Sequence, residues 1–174
     1  QIETILEAQK KTERRRSSMV NQKTRRMVMA ALLAALTTAA TMVIRIPTPT
    51  LGYIHLGDSM VLICGILLGP GLGAAAAGIG SMLADLFSGF TAWAPGTFAI
   101  KALTALVGGS LYRLCLKREH ISPPLRVILC GIPAEAVMVA GYFLYEVGMM
   151  ALAGSDLSAA AMAVLAGVPF NVVQ

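Results

Sequence analysis

The feature that most constrains this chain is a series of apolar runs, most of them long enough to cross much or all of a bilayer. Met27 to Ile46 is the first, about 20 residues with no acidic side chain, enough for a helix crossing a ~30 Å hydrocarbon core. Runs of similar character follow from Ser59 to Leu68, Leu72 to Phe87, Gly96 to Leu116 and Val127 to Leu152. They are rich in Ala, Leu, Gly and Met, without the two-residue alternation of a barrel strand. Composition agrees: 56% of the 174 residues are hydrophobic and 13% charged, against roughly a quarter charged in soluble domains. These runs predict an all-α integral membrane protein.

The net charge of +5 is distributed as a membrane topology rather than as a nucleic-acid surface. Eight of the fourteen Lys and Arg precede Met27, and Arg113, Lys117, Arg118 and Arg126 flank one later loop. Positive residues collect on the cytoplasmic side, so the N-terminus and the Arg113–Arg126 loop are placed inside. The turns near Pro47, Trp93 and Ser155 are then outside. No nucleic-acid partner is expected, because no basic groove interleaved with aromatics is present. The three cysteines have neither CxxC nor Cys/His metal spacing, and read as packing residues.

Residues 1–26 form a polar, basic cytoplasmic tail, helix-prone but expected to be solvated and disordered; residues 27–174 are the membrane-embedded domain. In the first spanning helix Ala31, Ala35 and Ala39 recur at every fourth position, a narrow face that lets another helix approach closely. Packing within the chain would use such a stripe as well. The two prolines after Ile46 exclude a helix and stiffen an extended segment ending in Tyr53 and His55, a candidate lid beside Asp58. Gly69-Pro70-Gly71 is a tight inner hinge. The glycines that follow are not a dinucleotide or phosphate loop, since no strand precedes them and no GxxxxGK[ST] occurs.

Ionisable groups inside membrane segments are costly and read as functional candidates. Asp85 shares a face with Gly73, Ala77 and Ser81, and so points into the bundle. Lys101 shares a face with Thr97, Thr104, Ala105 and Gly108. Both lie a few residues from the Trp93 turn, so a structural Asp85–Lys101 ion pair is expected, with Asp58 near the same depth. The cluster reads equally as packing or as a polar binding site. Glu135, Met138, Tyr142 and Tyr145 form a stripe on the fifth helix suited to an aromatic, polar ligand. After Gly154-Ser-Asp156 the run Leu157 to Ala166 is too short to span and is expected to lie at the outer face. Pro169 then fits the first turn of a sixth helix, with Asn171 and Gln174 on one side, cut short where the sequence stops.

The run GYIHLGDSMVLICGILLGPGLGAAAAGIGSMLADLFSG, then APGTFAIKAL and PFNVVQ, resembles the S component, the substrate-binding subunit, of energy-coupling factor (ECF) vitamin transporters. The likeness is to the branch of riboflavin-type or unassigned vitamin specificity, and covers Met27 to Gln174. It implies a six-transmembrane-helix bundle with a cytoplasmic N-terminus, whose sixth helix is truncated here. It implies capture of a water-soluble vitamin outside the bacterial plasma membrane, and work with a transmembrane coupling subunit and two cytoplasmic ATPases that topple the subunit in the bilayer. The family's helix-1 contact to the coupling subunit falls on Ala31 and Ala35. Its binding cavity falls by position on Tyr53, Lys101, Tyr142 and Asn171, which with His55 and Glu135 make the expected ligand set. Riboflavin is the first candidate; a pyrimidine or thiazole precursor, pyridoxine and pantothenate also suit such a pocket. No catalytic residue, cofactor or metal is expected. A stand-alone proton-coupled transporter using Asp85 or Glu135 is the alternative, and an enzyme is disfavoured because His55 and His120 fall on opposite sides of the membrane.

Overall fold

The computed structural model describes residues 2–43, 45–47, 53–118, 120–165 and 168. It is a helical bundle carrying one short ribbon. Helix α1 spans Ile2–Val43, the strands β1 and β2 span Arg45–Pro47 and Tyr53–His55, and α2 spans Gly57–Leu68. Then come α3 (Pro70–Phe87), α4 (Ala94–Leu116), α5 (Pro123–Leu152) and the short α6 (Leu157–Leu165). Part of α1 and all of α3, α4 and α5 are long and apolar enough to cross a membrane, and α2 is a shorter apolar helix.

Three expectations change. Residues before Met27 continue α1 without a break instead of forming a disordered tail. No Gly or Pro interrupts the chain until Pro47, and the tail is rich in the strong helix formers Glu, Gln, Lys and Arg. Second, the extended segment after α1 is an antiparallel ribbon, pairing Arg45 with His55, Ile46 with Ile54 and Pro47 with Tyr53. Third, α3, α4 and α5 start two to four residues earlier than the apolar runs, at or beside Pro70, Pro95 and Pro123. Proline fits a first helical turn, where its missing N–H would have no partner anyway. Within α5, Pro133 is accommodated without ending the helix. The expected sixth helix from Pro169 lies outside the described residues.

In the core, α3 packs along α4 and α1, and α2 along α3 and α4. Small residues make this possible. Val61, Cys64 and Leu68 of α2 meet Ala76 and Ala77 of α3, Ala105 of α4 and Ala34 of α1. A methyl group on Gly65 would overlap the carbonyl of Ala105, so α2 and α4 touch backbone to backbone. At the α1–α3 crossing, Gly80 lies on Ala34 and Thr37, and the Thr38 hydroxyl donates to the Gly80 carbonyl at 2.8 Å. Without a hydrophobic driving force between helices in lipid, such close approach and hydrogen bonding hold the bundle.

Substituting Gly80→Val is expected to force α1 away from α3 and destabilise the fold by ~1–3 kcal/mol, as overpacking does. A lowered midpoint of thermal unfolding in detergent is the readout, and an unchanged midpoint would contradict the close crossing.

Candidate functional site

The site is built around Lys101, in the second turn of α4, whose side chain is 0% exposed. Its ammonium donates to Oδ1 of Asp58 in the first turn of α2. It also lies 2.9 Å from Sδ of Met138 and 5.1 Å from the centroid of the Tyr142 ring, both on α5. One cation therefore ties three helices together. A charge in such surroundings must be paired, and the Tyr142 π-face adds a cation–π contact. The Tyr142 hydroxyl donates to Oγ1 of Thr97 at 3.3 Å, one turn before Lys101 on α4.

Above this layer the start of α4 forms an aromatic corner. Tyr145 donates to the Ala92 carbonyl at 2.6 Å and packs on Trp93, with ring centroids 5.9 Å apart at 55°. Gly96 lies beneath the Tyr145 ring, where a methyl carbon would sit 2.5 Å from it. Both tyrosines are therefore tied to the first turn of α4 and its preceding turn.

The expected pairing of Lys101 with Asp85 is corrected: the carboxylate on Lys101 is that of Asp58. Asp85 is buried on the last turn of α3. The depth estimate measured distance from the Trp93 turn along the chain. It therefore favoured the neighbour on the adjoining helix over a residue reached only through the fold. Of the expected ligand residues, Lys101 and Tyr142 come together. Glu135 stands at the edge of this group: it lines a cavity of about 1090 Å³ with Leu62, Ile128, Val139, Phe143 and Leu165. Its Oε1 is buried without a hydrogen-bond partner among the described residues. Tyr53 and His55 belong to β2, five and three residues before Asp58. Asn171 lies outside the described residues.

Two groups were missed as site residues. Thr97 was seen only as a face-sharing neighbour of Lys101. Glu146 is 8% exposed on the α5 stripe that also buries Cys130, Ala134 and Met138, and the four-residue spacing from Tyr142 carried that signal. On α1, Ala31, Ala35 and Ala39 are exposed, while Ala34, Thr37, Thr38 and Thr41 face the bundle.

Replacing Lys101 by Met should leave Asp58 buried and unpaired, at a cost of roughly 3–5 kcal/mol. The double variant Lys101→Met with Asp58→Asn should recover much of that loss, whereas pairing Lys101→Met with Asp85→Asn should not. Unfolding free energies of the unmodified chain, the three single variants and the two double variants, in two double-mutant cycles, measure the two couplings. A larger coupling to Asp85 than to Asp58 would refute the observed pair.

Comparisons with known proteins agree with this architecture. Residues 21–174 match the family model described as "ECF-type riboflavin transporter, S component". An archaeal relative from Pyrococcus woesei, described as "Uncharacterized protein in gap 3'region", is 38% identical over 106 residues, 60% of this chain and 67% of its own length. The fold is similar to a solved structure titled "Structure and mechanism of the S component of a bacterial ECF transporter". The TM-score is 0.64 at 22% identity, covering 87% of this chain and 86% of the other. The membrane-capable helices, the buried polar layer at one end of the bundle and the match over nearly all of the membrane part have one common reading: the chain is a transporter subunit and not an enzyme, and it belongs to the S-component family of ECF transporters.

Proposed function

We propose that this chain captures a water-soluble vitamin at the outer face of the cell membrane, as the substrate-binding subunit of an ATP-driven importer. The family match over residues 21–174 is the observation that carries this reading. Riboflavin is the first candidate ligand, from the description of the matched family. The geometry supports a ring-shaped ligand with polar edges. Tyr142, Trp93 and Tyr145 supply aromatic faces near one end of the bundle, and Thr97, Glu146 and Glu135 supply polar groups. A pocket of this kind orients a ligand by a few polar contacts and binds it by its apolar faces. In this reading Lys101 sets the floor of the pocket through its bond to Asp58. Tyr53 and His55 close over the ligand from the ribbon, and Asn171 completes the wall.

The partners in this proposal are a transmembrane coupling subunit and two cytoplasmic ATPases, because no nucleotide-binding loop occurs in the chain. The exposed Ala31, Ala35 and Ala39 stripe is the proposed contact with the coupling subunit. It is a small-residue face that the bundle itself leaves unused.

Purified full-length subunit should bind riboflavin by isothermal calorimetry, and Tyr142→Ala should weaken binding at least about fivefold, since loss of a stacked ring costs about 1–3 kcal/mol. Cells should import the vitamin only with ATP and the coupling subunit present. Import by the isolated chain driven by a proton gradient would overturn the reading in favour of a stand-alone transporter.

The pair Ala31→Leu with Ala35→Leu should abolish co-purification with the coupling subunit while leaving vitamin affinity unchanged. Loss of vitamin binding instead would assign the stripe to packing within the chain.

A further inference from the structure

At the opposite end of the bundle, two arginines from different helices converge on the hinge between α2 and α3. Arg26 of α1 donates from Nη2 to the carbonyl of Leu68, the last residue of α2, at 3.0 Å. Arg113 of α4 lies against the next residue: a methyl group on Gly69 would overlap its guanidinium. Gly69 has φ 85° and ψ 170°, a conformation essentially reserved for glycine. The hinge therefore both turns the chain and leaves the space Arg113 occupies.

Capping explains one of these arginines. The end of α2 presents unpaired carbonyls and a partial negative charge, which Arg26 satisfies. Arg113, in the last turn of α4, complements the dipole of its own helix, but this leaves its N–H donors unused. Among the described residues Arg113 makes no hydrogen bond and no ion pair, and Arg26 makes no ion pair. Both side chains are exposed, so two guanidinium groups concentrate positive charge beside consecutive backbone positions. A guanidinium carries five N–H donors arranged to grip phosphate or carboxylate oxygens in pairs.

The depth of the hinge selects the anion. From Arg26 to Val43, α1 rises about 26 Å, close to the thickness of a hydrocarbon core. From Lys101 to Arg113, α4 rises about 18 Å, matching the length of α2. The two arginines and the hinge therefore share one level, near the inner boundary between hydrocarbon and headgroups. Leu114 and Leu116, beyond Arg113, are still exposed apolar residues, so this level faces lipid rather than open solvent. We propose that Arg26 and Arg113, at the Leu68–Gly69 hinge, form a binding site for the phosphate of an anionic phospholipid of the inner leaflet. Basic residues at this depth attract anionic headgroups by about 1 kcal/mol each, or about fivefold.

Native mass spectrometry of the purified full-length chain, with phosphatidylglycerol or phosphatidylcholine added, tests this. One phosphatidylglycerol should stay bound under activation that strips phosphatidylcholine. Arg113→Gln should lower its retention about fivefold, and Arg26→Gln with Arg113→Gln about twenty-five-fold. Lys117→Gln, off the hinge, should leave retention unchanged. Arg113→Gln removes no hydrogen bond among the described residues, so the single variant keeps the test valid where the double variant fails to fold. Equal retention of the two lipids by the unmodified chain would overturn the proposal, as would undiminished phosphatidylglycerol in Arg113→Gln. Displacement of the lipid by millimolar inorganic phosphate would overturn it in favour of a site for free phosphate. Normal lipid retention in the variants together with lost assembly on the coupling subunit would assign the arginines to a protein contact.

Discussion

A fully buried ammonium is the most expensive group in this bundle, and much of the half around it is arranged to make it tolerable. Lys101 cannot reach water, and an unpaired charge in low dielectric would neutralise or pull the helices apart. Its partner Asp58 comes from α2, its sulfur contact and its aromatic face from α5. Each partner must be within bonding reach at once, so the relative depth and rotation of α2, α4 and α5 are fixed by one side chain. Replacing such a pair by apolar residues is often neutral for stability. Its value here is in register. Asp58 follows β2 by three residues, so the bond to Lys101 also fixes where the ribbon joins the bundle.

That register is only possible because the helices approach closely. Gly65 lets α2 lie on the backbone of α4, and Gly80 lets α1 lie on α3 with a Thr38 hydrogen bond across the contact. The Thr37 hydroxyl donates to the Leu33 carbonyl one turn back in α1. The Thr38 hydroxyl lies within reach of the Ala34 carbonyl as well as that of Gly80, so both are satisfied inside the bundle. The glycines and threonines thus do locally what a hydrophobic core does in water.

Much of this was legible from residue pattern. Long apolar runs, basic loop ends and proline positions placed the spanning helices to within a few residues, and the face shared by Thr97, Lys101, Thr104, Ala105 and Gly108 is buried as a unit. The exact partner of Lys101 was not legible. Depth along neighbouring helices can be counted from a sequence, whereas contact between α2 and α4 depends on how tightly Gly65 allows them to pack. The continuity of α1 was misjudged for a different reason: charge density in residues 1–26 outweighed a composition that favours helix throughout. The short ribbon was hidden by its prolines, which exclude helix but leave pairing at a strand end open.

Helix α1 shows how one pattern can serve two surfaces. Residues at 31, 35 and 39 and residues at 34, 37, 38 and 41 are all small or short, and sequence alone gives either set a claim to the interior. Successive residues turn by about 100°, so the two sets occupy different faces. Ala34, Thr37, Thr38 and Thr41 are the ones that meet α2 and α3. The alanine stripe is left facing outward, where larger apolar side chains would serve equally well against lipid tails. Small residues on a lipid-facing surface gain nothing from lipid and gain much from a second helix. Exposure is thus what makes an ambiguous motif the proposed assembly surface. That stripe runs along the outside of the same helix that carries Arg26 to the hinge, so the proposed assembly and headgroup binding would act on one rod.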